Sequence, residues 1–358
     1  MGVSRHLLRT LARRRPIAAS ALALALLGTA TAVGAFPDDP PNDPRYNPAE
    51  QGGPGTCLST SGVNQQTYLY SVMPQCTPAA SDPEDAAGGS VDRAWREYTT
   101  GDPKTLIAYI EGGVNWRDRP EELANKTYIN PGELPKPTTR KRDGVLNAED
   151  YADTPDRNGN GLVDPEDIIV RFSDGADDDR NGYTDDISGW DFYNDQNNPA
   201  TVDSAYDHAN AQMIQAAAET DNGVAEAGIC PKCMLLPIKA GAEALDRTDD
   251  LAESWIYAAD AGADVLVSVT ADLGYSTFMR QAVEYTWRKD VIAVESSNDF
   301  NSLDHQGSMF WPHVLPGNAV VANTAGMQTA PGSAAAQNAA TTTFRARSVN
   351  RCHISSKL

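Results

Sequence analysis

Residues 206–218 read Y-D-H-A-N-A-Q-M-I-Q-A-A-A, and the organisation of the chain follows from them. Asp207 is a residue type that caps helix starts, and small or apolar residues recur at Ala209, Ala211, Met213, Ile214, Ala216, Ala217 and Ala218. That spacing predicts a helix opening at residues 207–208. Alanine on both faces lets other elements approach closely, which predicts a largely buried helix. His208 falls in its first turn, at the mouth of whatever the helix packs into. A histidine held there by the fold is a candidate acid–base group, because its charge changes near neutral pH.

Outward from this helix, short apolar runs alternate with amphipathic stretches. Residues 106–110 (L-I-A-Y-I), 234–240, 264–270 (D-V-L-V-S-V-T), 291–295 and 319–323 predict strands. Residues 91–98, 249–261 and 276–289 have helical spacing, and Gly262 stops the second of these helices. Continuous apolar runs separated by helices predict an α/β fold, a parallel sheet with helices on its faces. The first run ends in Glu111-Gly112-Gly113-Val114. A carboxylate at the carboxyl end of a buried strand, followed by two glycines, lies where open α/β sheets place ligands.

The chain has 358 residues, enough for one large domain with flanking segments, and a formal net charge of -20. Such an acidic chain offers no basic face for a phosphate backbone, which excludes nucleic acid as a partner. The acid concentrates in three segments between residues 143 and 186. Residues 143–150 resemble the second half of a calcium loop. Residues 156–167 (D-R-N-G-N-G-L-V-D-P-E-D) place Asp156, Asn158, Asn160, Asp164 and Asp167 at the first, third, fifth, ninth and twelfth loop positions, with Gly161 at the sharp turn. Residues 177–186 repeat the pattern with Asp177, Asp179, Asn181 and Asp185, and Gly182 at the turn. Hard oxygen donors at this spacing predict structural Ca²⁺. Neither loop is clearly flanked by two amphipathic helices, so no ordinary EF-hand is implied.

Arg5, Arg9, Arg13, Arg14 and Arg15 precede an uncharged Ala/Leu-rich run at 17–33, with small residues at 30–32 or 33–35 suited to cleavage. Residues 1–35 therefore predict an export signal and a secreted product, the alternative being a membrane anchor over 17–36. Residues 36–90 predict a disordered, disulfide-stapled leader, rich at its start in Pro, Asp, Asn and Gly. An exported chain favours disulfides, and Cys57–Cys76 would staple the leader. Cys230-Pro-Lys-Cys233 has the spacing of a redox or zinc pair; with no matching Cys/His pair elsewhere, a local disulfide at the start of a strand is expected. Residues 329–358 break the pattern, being low in complexity and then basic, with the odd Cys352. They read as a truncated or frame-shifted end.

Glu111, His208 and Asn298 stand in the order acid, histidine, asparagine, each at an element boundary. In this the chain is similar to the subtilases, the subtilisin-like serine peptidases. Residues 107–114 (I-A-Y-I-E-G-G-V) resemble the family's A-V-I-D-T-G-V. Residues 177–192 (D-D-D-R-N-G-Y-T-D-D-I-S-G-W-D-F) resemble D-D-D-G-N-G-Y-x-D-D-x-x-G-W-D-F, and residues 221–228 resemble N-N-G-x-G-V-A-G. The resemblance covers roughly 91–324, within a domain of 91–328 whose acidic insertion spans 140–200. It implies a subtilisin-like parallel sheet with helices on both faces, incomplete at the C-terminus. It implies catalytic roles for Glu111 and His208, an oxyanion donor in Asn298, Ser268 on the substrate-pairing edge, and a peptide or protein substrate. The departures are Glu111 for Asp, Ala209-Asn210-Ala211 for G-T-H, Ser297 for Gly, and no G-T-S-x-A-x-P segment. The expectation is an exported serine endopeptidase whose given chain lacks the nucleophile and is inactive. The alternatives are a non-catalytic peptide-binding relative and a secreted calcium-binding module.

Overall fold

The computed structural model describes residues 36–46, 66, 69, 71, 89–137, 143–204, 206–242, 247–268, 276–296 and 318–321. At its centre is a wholly parallel sheet of six strands: β1 (Leu106–Glu111), β2 (Trp190–Asp191), β3 (Met234–Lys239), β4 (Val265–Ser268), β5 (Ile292–Ser296) and β6 (Asn318–Val321). Their spatial order is β2-β3-β1-β4-β5-β6. β1 lies inside, registered Ile110↔Ile238 on one side and Ile110↔Ser268 on the other. Every residue of β1 and β3 is buried, as the continuous apolar runs require of strands covered on both faces.

Side chains alternate across a strand, and the two faces of β1 feed two cores. Leu106, Ala108 and Ile110 pack with Leu251, Trp255 and Ala258 of α5 (Thr248–Asp260) and with Met279, Ala282 and Val283 of α6 (Thr277–Arg288). Ile107 and Tyr109 pack with Met213, Ile214 and Ala217 of α4 (His208–Ala217). Burying each large apolar side chain contributes about 1.5–3 kcal/mol, so this two-sided packing is the main hold on the sheet. Separate small cores join Ile129 with Tyr151, Ile168 and Ile187 of the acidic insertion, and Tyr46, Leu69, Trp95 and Ala227 around α1 (Val91–Glu97).

Pro237 inside β3 is tolerated for a geometric reason. The Leu235 N–H and C=O bond outward, to Lys126 and from Tyr128, so by the two-residue period the Pro237 nitrogen faces the same outer edge. Only two-residue β2 continues that edge, beginning one residue beyond Gly189. Gly189 has φ +82°, and a Cβ there would meet the Pro237 carbonyl at 1.8 Å.

α4 is largely buried, with His208 and Gln215 exposed. Two expectations change. Asp207 holds the N-cap position, but its side chain makes no capping bond; its backbone (φ -116°, ψ 1°) is outside the extended region that aims a cap at the next amides. Pro120–Leu123 form α2, and the end of the acidic loop at 156–167 opens α3 (Pro165–Phe172). The Cys230–Cys233 disulfide is present directly before β3. Cys57 and Cys76 lie outside the described residues. No helix among the described residues is long and apolar enough to cross a membrane.

Candidate functional site

The carboxyl ends of the central strands are polar where their bodies are apolar. Glu111 ends β1 beside Lys239 of β3, and Ser268 ends β4 beside Glu295 of β5. Glu111 is 2% exposed, and its two oxygens have different partners. Oε1 lies 2.5 Å from Nδ1 of His208. Oε2 accepts from the Gly112 backbone N–H at 2.9 Å and from the Tyr206 hydroxyl. The His208 side chain is 53% exposed. A buried carboxylate thus faces a half-exposed imidazole. Holding the Nδ1 proton makes Nε2 the nitrogen that exchanges protons with a reactant.

The segment that delivers His208 is fastened to the loop after β1. Val114 donates to the Pro199 carbonyl at 2.9 Å and accepts from Thr201 at 2.8 Å. Gly113, with φ +107°, lets this happen: a Cβ there would meet Thr201 N at 2.8 Å and the Lys239 stem at 2.9 Å. Lys239 is wholly buried and donates to Asp191 at 2.9 Å and to the Ala200 carbonyl at 3.2 Å. Asp191 also accepts from Asn194 and Gln196. A buried charge needs this completeness, since an unpaired ion there would cost several kcal/mol. Asn210, fully buried, accepts from Asn115 N–H and donates to the carbonyls of Asn115 and Asp118. It pins the first turn of α4 to the same loop. Between these segments lies a cleft of about 540 Å³ lined by Val114, Asn115, Trp116, Thr201, Ser204 and Asp207.

Ser268 is buried at the end of β4, with Ile110 and Glu295 alongside. Asn298 lies outside the described residues.

The acidic loops separate into two arrangements. In the first, Asp164 and Asp167 form a capping box on α3: Asp164 Oδ1 accepts from the Glu166 and Asp167 amides, and Asp167 Oδ2 accepts from the Asp164 amide. Asn158 and Asn160 donate to the other Asp164 oxygen, while Asp156 accepts from Gly159 and Gly161. Burial pushes the Asp164 carboxyl up to about 6. In the second, Asp177 accepts from Asn181 and Gly182, and Asp185 accepts from Asp174 and Gly175. Asp179 there meets two residues the sequence reading did not select, Glu133 and Asp186. One ligand oxygen from each of the three lies within 4.8 Å of the others. Burial raises the carboxyls of Glu133 and Asp186, the latter to about 6, and neighbouring Asp179 adds to both. Crowded like charges of hard oxygen donors suit a divalent cation, and Asn130 and Asn181 direct their side chains into the same cluster.

Glu133 and Asp186 escaped the sequence reading because their partners are remote or off the loop periodicity. Asp186 sits one place beyond the ninth loop position, and Glu133 lies 46 residues before Asp179, whose amide it accepts. Tyr206 and Asn210 were in view within the first stretch, yet nothing in local spacing shows a hydrogen bond to residues about 95 positions earlier.

No protein-family model matches the chain. It is 33% identical over 122 residues to a thermophilic serine proteinase of Bacillus sp. strain AK1, a match covering 32% of this chain and 28% of that protein. It is 31% identical over 119 residues to thermitase of Thermoactinomyces vulgaris, covering 32% of this chain and 40% of that one. The matches thus span between about a quarter and two fifths of these curated relatives. Among solved structures, fervidolysin from Fervidobacterium pennivorans, a keratinolytic enzyme related to subtilisin, superposes with a TM-score of 0.37 at 18% identity, covering 65% of this chain and 26% of that one. So loose a superposition transfers no residue roles. With the parallel sheet in place, the two sequence matches make the chain similar to serine proteinases over about a third of its length.

Proposed function

We propose that Glu111 and His208 are the acid–base pair of an exported serine endopeptidase working by acyl transfer on peptide or protein substrates. The observation that carries this reading is the 2.5 Å contact between His208 Nδ1 and Glu111 Oε1 at the carboxyl edge of a parallel sheet. His208 takes the nucleophile's proton at Nε2 and returns it to the leaving amine. Glu111 orients the ring and stabilises its charged form. Asn298 donates to the developing oxyanion; Ser268, expected on a substrate-pairing edge, is buried between Ile110 and Glu295 at the end of β4. The 358 residues contain no G-T-S-x-A-x-P segment to supply the attacking hydroxyl. Casein turnover by the purified chain is expected to be nil; turnover that His208→Ala abolishes would overturn that expectation.

The cation reading belongs to the same proposal. Glu133, Asp179 and Asp186 would hold Ca²⁺, with Asn130 and Asn181 presenting carbonyl oxygens after a half-turn of their amides. When bound, the ion neutralises the crowded carboxylates and ties the acidic insertion to Tyr257 of α5, whose hydroxyl donates to Asp186 at 2.8 Å. In the first loop Asp164 and Asp167 cap α3, while Asp156, Asn158 and Asn160 bond within the loop, so these five shape the loop without holding the ion.

A second reading, a non-catalytic peptide-binding relative, is favoured by Ala209-Asn210-Ala211. Asn210 there serves to fasten a loop, with all three of its bonds made inside the protein.

A further inference from the structure

We propose that Tyr206 is a positioning residue that fixes the Glu111 carboxylate toward His208, an inference that rests on reading the two as an acid–base pair. Glutamate carries one more rotatable bond than aspartate, and its terminal torsion is broad and weakly held. A carboxylate at the end of that longer arm needs more than one anchor to present a single oxygen to Nδ1. The Gly112 N–H supplies one anchor at 2.9 Å on Oε2. A single donor leaves rotation about its own axis. The Tyr206 hydroxyl donates to the same Oε2 from another element and removes that freedom, so Oε1 faces His208.

The arrangement is compact in sequence. Tyr206 lies two residues before His208, so one short segment grips both oxygens of the carboxylate. Tyr206 is itself held, its amide donating to the Asp203 carbonyl at 3.0 Å and its ring lying tilted 6.2 Å from the imidazole. Charged neighbours include Lys239, beside Glu111 in the sheet register, and Asp207, next to His208 in the chain, which interacts with Arg119. The substitutions below leave Asp207 and Arg119 unchanged.

The test is the tautomer of the neutral His208 ring, read by ¹⁵N NMR on the full chain with labelled histidine. The chain has five histidines, and His208→Gln assigns the signal. In the native chain the Nδ1–H form is expected to dominate. Tyr206→Phe removes one oxygen from a half-buried side chain, and the ratio of Nδ1–H to Nε2–H should fall by about two- to tenfold, as loss of one hydrogen bond does. A merely structural tyrosine would alter the melting temperature and leave the ratio alone. Glu111→Leu keeps the buried volume and removes the acceptor, and should lose the Nδ1–H preference altogether. If Glu111→Leu abolishes the preference and Tyr206→Phe does not change it, the pair stands and the role of Tyr206 is overturned. If neither changes it, the pairing of Glu111 with His208 is overturned as well.

Discussion

Asn210 sits in the first turn of α4, and its side chain ties that helix to the loop after β1. Its amide makes three hydrogen bonds to the loop at 115–118 while fully buried. Asn210→Ala leaves two carbonyls and one N–H without that partner, so a loss of about 1–3 kcal/mol is expected, read as a lower melting temperature. Glu122 carries a different strain. Burial, with Asp43, Glu121 and Glu226 adding repulsion, pushes its carboxyl up to about 8; burial pushes Asp43 up to about 6. Both values are raised above the unfolded ones. Their favourable contribution is therefore complete below the ordinary carboxylate range and is lost as pH rises through 6 and then 8. In EDTA, stability should fall between pH 5 and pH 9. Glu122→Gln should raise the melting temperature at pH 8 and flatten the upper part of that profile; a profile identical to the native one would count against it. At this scale the sequence disclosed Glu111 and His208, because each has a telling residue type at an element boundary. It did not disclose Tyr206, Asn210 or Lys239, whose meaning depends on partners brought in by the fold.

Among the elements, the strands were the most legible. Uninterrupted apolar runs mark β1 and β3 to within a residue or so, since the body of a strand covered on both faces is apolar, and they mark β5 as closely although Ile292 is exposed. β2 was not legible: two residues, W-D, carry no periodicity, and only Gly189 and the outward-facing Pro237 nitrogen make room for it. α3 was hidden by a competing pattern. Asp164 and Asp167 fit the ninth and twelfth positions of a calcium loop and equally fit a capping box, with Pro165 at the first helical position. The structure uses them as caps. Asp164→Ala should therefore cost about 0.5–2 kcal/mol of stability. Calcium affinity, measured by titration, should be unchanged if the ion sits at Glu133, Asp179 and Asp186; a large loss of affinity would move the site to the first loop.

For the whole molecule, the acidic insertion and the sheet are coupled through the Glu133, Asp179 and Asp186 cluster and its bond to Tyr257 of α5. A cation bound only by the folded state stabilises it by mass action. Calcium should raise the melting temperature and EDTA lower it, and Asp186→Asn should remove most of that response. No shift with EDTA would contradict the site. The general architecture was readable because alternating runs admit few other arrangements, whereas the cation cluster was only half readable, one of its carboxylates coming from a loop well upstream.

The most direct measurement offers the pair a nucleophilic hydroxyl. The chain would be extended by a segment bearing G-T-S-x-A-x-P, shown to melt cooperatively, and exposed to a serine-directed fluorophosphonate. The Glu111–His208 pair predicts labelling that His208→Ala slows by at least about 100-fold, the contribution expected of a positioned general base. A folded extended chain that takes no label, or takes it equally fast without His208, would contradict the assignment of this pair to peptidase chemistry.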